Sequence, residues 1–248
     1  MGARLGRGAL LFPALPGAQL RSRAMGKQVL LVGATGLVGQ GVLEVLLRSP
    51  DIAGVTALVR GPFPIAHPKL RVLRAPGLSA AALAALDLSG LDACLYCAGP
   101  LPLGMTEAAY SEATVATLAR VVDAYATANP RGFVAYISGM GADPASRLMP
   151  LRIKGEAEMV LAHSGLAHTS LRPGVVRPLS GIASPHLLRR WLYALGAPVL
   201  AAAGRCLPGV FTSTRAIGEC MLRLVVDDRA RPAVIENAGI ARAARASG

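Results

Sequence analysis

Charged and aromatic side chains are both scarce in this chain of 248 residues: 16% are charged and 4% aromatic, with one tryptophan. Few aromatics means few stacking surfaces for single-stranded nucleic acid, and no run of Lys and Arg with interleaved aromatics replaces them. No nucleic-acid partner is expected, despite a formal charge of +12. Residues 1–24 hold four arginines and no acid, and the remaining excess is spread along the chain. Lysine is rare, with three in all, so the basicity says little about partners. Four cysteines are too few for a disulfide framework at this length and favour a reducing, cytoplasmic setting. Cys94 and Cys97 form a C-x-x-C, but they sit in the apolar run Leu91–Cys97 with no second pair to complete a zinc site. No metal is expected. The run Ala9–Leu15 is too short to span a bilayer. Residues 1–24 are broken by Pro13 and Pro16 and read as a disordered extension. An organellar presequence and initiation at Met25 are the other readings of that segment.

What the chain does have is apolar residues, 53% of the total, arranged in short runs that alternate with helical patterns. Strands are expected over Lys27–Val32, Val55–Val59, Leu70–Leu73, Leu91–Cys97, Gly132–Ser138 and Ala167–Leu171. Helices are expected over Val38–Leu47, from Ser79 to Leu86, from Thr106 to Ala128, over Arg152–His163 and over Thr214–Val226. Such alternation in one chain of this length predicts a single α/β domain over residues 25–240, a doubly wound parallel sheet of Rossmann type. Residues 241–248 read as a tail. Residues 173–212 break the rhythm with Pro and Gly and read as a late insertion over the substrate side. Its stretch His186–Leu195 is basic and apolar. Ordinary packing is the expected use of that stretch, and membrane-surface contact through residues 186–200 the less favoured one.

The organising feature is the turn Gly33-Ala34-Thr35-Gly36-Leu37-Val38-Gly39 between the first strand and the first helix. Glycine lets the backbone turn sharply and approach a pyrophosphate, while the N–H groups of the helix start face the anion. Gly33, Thr35, Gly36, Leu37, Val38 and Gly39 are therefore the expected cradle of a dinucleotide. Arg60 ends the second strand about twenty residues on, where an acid would favour NAD and a cation accommodates the NADP phosphate. NADP(H) is expected ahead of NAD(H). The small residues Ala98 and Gly99 after the fourth strand let the backbone close on the cofactor from the other side.

Four motifs together resemble the short-chain dehydrogenase/reductase superfamily in its atypical and extended branches. They are the glycine turn, Tyr136-Ile137-Ser138-Gly139-Met140-Gly141-Ala142-Asp143, Ile153-Lys154-Gly155-Glu156 and Leu171-Arg172-Pro173-Gly174. The resemblance covers Lys27 to Arg242, and the chain is most similar to bacterial NAD(P)-binding proteins related to the Tat-interactive-protein oxidoreductases. Val234-Ile235-Glu236-Asn237 also resembles the end of that group. The resemblance implies cofactor contacts at Pro173, Gly174 and Val175. It further implies a catalytic set in which Ser138 orients a carbonyl and Lys154 holds the nicotinamide ribose, while a tyrosine four residues before the lysine exchanges the proton. That position is Pro150, which has no proton to give. Arg152 stays protonated and is a poor acid. Tyr136 lies on the strand before Ser138, Tyr110 and Tyr193 are distant in sequence, and none is named as a replacement. Two functions follow: an NADP(H)-dependent oxidoreductase or epimerase-like enzyme acting on a small molecule, or a catalytically silent NADP(H)-binding redox sensor or scaffold.

Overall fold

Strand β1 (Lys27–Val32) runs between two parallel partners, β2 (Ile52–Val59) and β4 (Ala93–Tyr96). It lies near the middle of the sheet in a computed structural model that describes residues 26–177 and 210–245. With β3 (Leu70–Arg74), β5 (Phe133–Ile137), β6 (Ala167–Arg172) and β9 (Val234–Glu236), they form a seven-stranded sheet in the order β3-β2-β1-β4-β5-β6-β9. Every pairing is parallel. A parallel sheet covered on both faces needs near-continuous apolar strands. Here Val29, Leu30, Leu31, Ala93, Cys94, Leu95 and Val134 to Tyr136 are all fully buried.

Two cores follow from the alternation of side chains along each strand. On one face, helices α1 (Leu37–Arg48), α6 (Thr214–Val226) and α7 (Asn237–Arg245) pack Val42, Leu46, Ile217, Leu224 and Ile240 against Val29, Leu31 and Leu95. On the other face, α2 (Ala80–Ala84), α4 (Thr117–Ala128) and α5 (Met149–His163) bring Leu83, Leu118, Tyr125 and Leu161 onto Leu30, Val32 and Tyr96. Cys94 belongs to this second core and Cys97 packs against the first. A strand sends residues three apart to opposite faces, so the C-x-x-C forms no local pair. Burial pushes the Cys94 thiol up to about 12. Strands β7 (Val175–Arg177) and β8 (Phe211–Ser213) make a small parallel ribbon beside the sheet.

The expected strands and helices are present, with instructive differences at their ends. Strand β4 covers only Ala93–Tyr96: Leu91 packs in the second core, but its N–H donates to Asn129 Oδ1 at 3.0 Å instead of to a neighbouring strand. Asn129 also donates to the Leu88 carbonyl at 2.7 Å, latching the end of α4 to the loop before β4. The long helix expected from Thr106 is a short α3 (Glu107–Ser111), a π-helical turn over Glu112–Ala116 and then α4. Helix α5 begins at Met149 rather than Arg152. Proline is tolerated in a first turn, where its missing N–H has no partner to lose, so Pro150 sits inside the helix start. Residues 241–245 continue α7, which buries Ile240 against the sheet. Residues 1–24, Met25, Tyr193 and the stretch 186–200 lie outside the described residues.

Candidate functional site

In a sheet of this order, the chain switches direction between β1 and β4, and a crevice opens above their carboxyl ends. The glycine turn follows β1 at that point, and its three glycines do three different things. Gly33 has φ +85°, and a Cβ there would lie 2.6 Å from the Ala98 nitrogen. Glycine alone allows this turn to lie against the loop after β4. A Cβ on Gly39 would collide with the Gly33 carbonyl, so Gly39 seats α1 on the turn. Gly36 differs from both. It has ordinary extended angles, and a Cβ there meets one atom, the Gly33 oxygen at 3.3 Å, with open space beyond. Gly36 is also the N-cap of α1, with no side chain capping the helix and no acid in the first turn. The first N–H groups of α1, those of Leu37 and Val38, are thus left for an anion. Exposed Thr35 turns its carbonyl back onto the Gln40 side-chain amide at 3.0 Å. This open cradle fits a pyrophosphate.

Arg60 follows β2 at the same edge, is exposed, and forms no ion pair among the described residues. Arg74 ends β3 in register with Val59, is also exposed, and is a cation that sequence spacing did not reveal. Register between strands is a tertiary fact, and the only sequence signal was an arginine at each strand end, Arg60 just after β2 and Arg74 closing β3.

On the far side of the crevice, Lys154 of α5 reaches the carboxyl end of β5. Its Nζ donates to the Tyr136 hydroxyl at 3.0 Å and to the Ile137 carbonyl at 3.1 Å. A Cβ on Gly99 would lie 3.7 Å from that Nζ, so the lysine borders the turn after β4. Burial lowers its pKa to about 8, against a smaller opposing pull from Glu158. Ser138 sits next to Ile137 at 5% exposure, and its hydroxyl has no hydrogen-bond partner among the described residues. A buried hydroxyl without a partner is costly, and a ligand at this edge would relieve the cost. The site thus gathers Gly33, Gly36, Ala98, Gly99, Ser138 and Lys154 around one crevice.

Pro173, Gly174 and Val175 form the lip after β6. The Pro173 carbonyl accepts from Met140 N–H at 3.0 Å, Gly174 N–H donates to Asn237 Oδ1 at 2.9 Å, and Val175 N–H donates to the Val210 carbonyl at 2.8 Å. These bonds fix the lip to the loop after β5, to α7 and to β8. Arg152 is occupied elsewhere: it pairs with Glu107 at 2.7 Å and donates to the Ser146 carbonyl at 3.1 Å, tying α5 to α3. Pro150 stands one helical turn before Lys154. Among the described residues there is no cluster of three His, Cys, Asp or Glu that could hold a metal, and no helix is long and apolar enough to cross a membrane.

An open phosphate cradle at the switch point of a parallel sheet, faced by a lysine across the crevice, defines an NAD(P)H-binding protein with an oxidoreductase-like fold. A family model described as NAD(P)H-binding matches residues 33–178, and the chain belongs to that family. Protein FMP52, mitochondrial, of Coccidioides immitis (strain RS) is 30% identical over 156 residues, which are 58% of this chain and 63% of that protein. The match therefore spans less than two thirds of that relative. Among solved structures, a short chain dehydrogenase family protein from Francisella tularensis subsp. tularensis SCHU S4 is similar with a TM-score of 0.64 and 14% identity, over 87% of this chain and 99% of that one. An oxidoreductase of the short chain dehydrogenase/reductase family from Burkholderia thailandensis gives 0.65 and 16%, over 88% and 94%. Uronate dehydrogenase from Agrobacterium tumefaciens gives 0.61 and 15%, over 84% and 75%. At these identities the likeness is one of fold. The chain shares that fold, with the glycine turn after β1 and with Pro150 and Lys154 both on α5.

Proposed function

We propose that the chain binds NADP(H) ahead of NAD(H) and transfers a hydride between it and a small molecule, as an oxidoreductase or an epimerase-like enzyme, without a helix tyrosine. Arg60 carries the cofactor preference: an exposed cation at the end of β2, free of any ion pair among the described residues, suits a 2′-phosphate and offers nothing to ribose hydroxyls that an acid would hold. When bound, the nicotinamide supplies or accepts the hydride. The Leu37 and Val38 N–H groups would hold the pyrophosphate, Lys154 the nicotinamide ribose, and the Ser138 hydroxyl a substrate oxygen. Ser138 is the residue that favours an enzyme, because its buried hydroxyl lacks a partner among the described residues. Pro150 favours the second reading, a catalytically silent NADP(H)-binding sensor or scaffold.

Titration calorimetry tests the cofactor choice. NADPH is expected to bind about tenfold or more tightly than NADH, and Arg60→Ala should bring the two within about twofold, since a charge-assisted phosphate contact is worth about 1.5–3 kcal/mol. Equal affinities in the wild type would overturn the preference. Against a panel of aldehydes and ketones, carbonyl reduction should be slow, below about 1 per second, and Ser138→Ala should remove it. Fast turnover that survives Ser138→Ala would place the proton route elsewhere. Binding with no turnover on any substrate would favour the sensor.

A further inference from the structure

We propose that Tyr136 is a positioning residue of the cofactor site: from strand β5 it fixes the Lys154 ammonium at the crevice, in place of any contact from the helix position held by Pro150. The inference rests on the reading of Lys154 as the ribose-binding residue.

A lysine side chain is long and loses much rotamer freedom when it must point one way. One helical turn before Lys154, Pro150 has no side-chain polar group to meet it. The strand supplies the partners instead. Tyr136 Oη and the Ile137 carbonyl accept two of the three ammonium N–H bonds, at 3.0 and 3.1 Å. The ammonium also lies 4.9 Å from the Tyr136 ring centroid, within reach of a cation–π attraction. With two donors engaged on the strand, the third is left for the crevice, where Gly99 borders the lysine without a side chain in the way. Tyr136 is itself held rigidly. It is fully buried, and its ring packs against Tyr96 at 5.9 Å between centroids, tilted by 54°.

The same burial excludes Tyr136 from the proton step. A fully buried phenol on the core side of the lysine touches no substrate. Burial, then the neighbouring Tyr96, Tyr110 and Glu158, hold its pKa well above the ordinary value. It acts through Lys154 or not at all. Among the described residues, the titratable groups around the lysine–tyrosine pair are Tyr96 on β4 and Tyr110 on α3, which act on Tyr136, and Glu158 one turn along α5, which acts on both. Glu158 is already paired with Arg172 at 2.6 and 2.9 Å, and Arg172 also reaches Glu236 at 3.1 Å. The acid next to the lysine is thus committed to β6, and Tyr136 is the side chain that decides where the ammonium points.

A double-mutant cycle on NADPH affinity tests this in the full chain. Tyr136→Phe keeps the ring and removes the acceptor, and is expected to weaken NADPH binding about fivefold; Lys154→Met should weaken it about 20-fold. The double variant should match Lys154→Met within about twofold, because the tyrosine has nothing left to position. Wild-type affinity should fall as pH rises through about 8. The fall should move to lower pH in Tyr136→Phe, which loses an acceptor for the charged form, and should vanish in Lys154→Met. A merely structural tyrosine would give additive losses and leave the pH midpoint alone. Either result overturns the proposal, as does Tyr136→Phe binding NADPH like the wild type while Lys154→Met binds weakly. Unchanged affinity in Lys154→Met overturns the lysine reading and the proposal with it. If Tyr136→Phe does not fold, NMR of the wild-type lysine ammonium decides: a hindered Lys154 ammonium with a cross-peak to the Tyr136 ring supports positioning, and a freely rotating one overturns it.

Discussion

Gly36→Val is expected to abolish NADPH binding while the protein stays folded. The backbone at Gly36 has φ −79° and ψ 165°, angles that valine adopts without strain. Among the described residues a Cβ there meets only the Gly33 oxygen, at 3.3 Å, so that carbonyl has to give by a few tenths of an ångström. The valine methyl groups then stand over the N-terminus of α1, where the Leu37 and Val38 N–H groups face outward. A pyrophosphate that must contact those groups loses its approach. Loss of the contacts should cost about 100-fold or more in affinity, equivalent to about 3 kcal/mol, with the melting temperature within about 5 °C of the wild type. Calorimetry with NADPH and a thermal melt on the same sample measure both. Retained binding would remove the glycine turn from the site. The neighbouring glycines make the contrast sharp. Gly33 has positive φ and abuts Ala98, and Gly39 abuts the Gly33 carbonyl. Substitution at either should unsettle the fold as well as the ligand.

The glycine turn was legible in the sequence because it is local, whereas the separate tasks of its glycines were not, since Gly33 is constrained by distant Ala98. A strand, a turn and a helix start lie within about a dozen residues, and each announces itself by its own period or residue type. The parallel sheet was legible for the same reason, since its strands are apolar runs buried on both faces. What the sequence concealed depended on contacts between distant segments. Leu91 looked like strand because it is apolar, but its N–H is taken by Asn129 Oδ1 instead of by a neighbouring strand. Strand β9 is three residues long, too short for any periodicity, and only its pairing with β6 makes it a strand. Arg74 came to lie beside Val59 through the register of β3. Tyr136 was visible as a strand tyrosine, yet nothing in its spacing from Lys154, a strand residue and a helix residue 18 positions apart, announces that the two side chains meet. Pro150 misled in the opposite way: read as a break, it masked the true start of α5 at Met149.

Lys154→Met is expected to stabilise the protein while it weakens the cofactor site. The ammonium of Lys154 is held at a pKa of about 8 by burial, against an ordinary 10.5, so the native state disfavours its charged form. Below about pH 8 the native protein carries the cation and bears that cost. Between about 8 and 10.5 the native lysine is neutral while the unfolded chain still binds the proton, so wild-type stability rises with pH across this window. The difference corresponds to about 3 kcal/mol, and losing the bonds to Tyr136 and Ile137 takes back about 1, for a net gain of about 2 kcal/mol at pH 7. In a chain of this size that is about 4–8 °C in melting temperature. Urea denaturation of both proteins at pH 7 and pH 10 reads the sign directly. The advantage of the variant should be clear at pH 7 and largely gone at pH 10. A variant less stable than the wild type at pH 7, or an advantage that does not change with pH, would show that the buried charge is not the source. On the proposed function such a cost has a use: the charge that destabilises the fold is the one that a ribose hydroxyl and the phosphates beside it would stabilise.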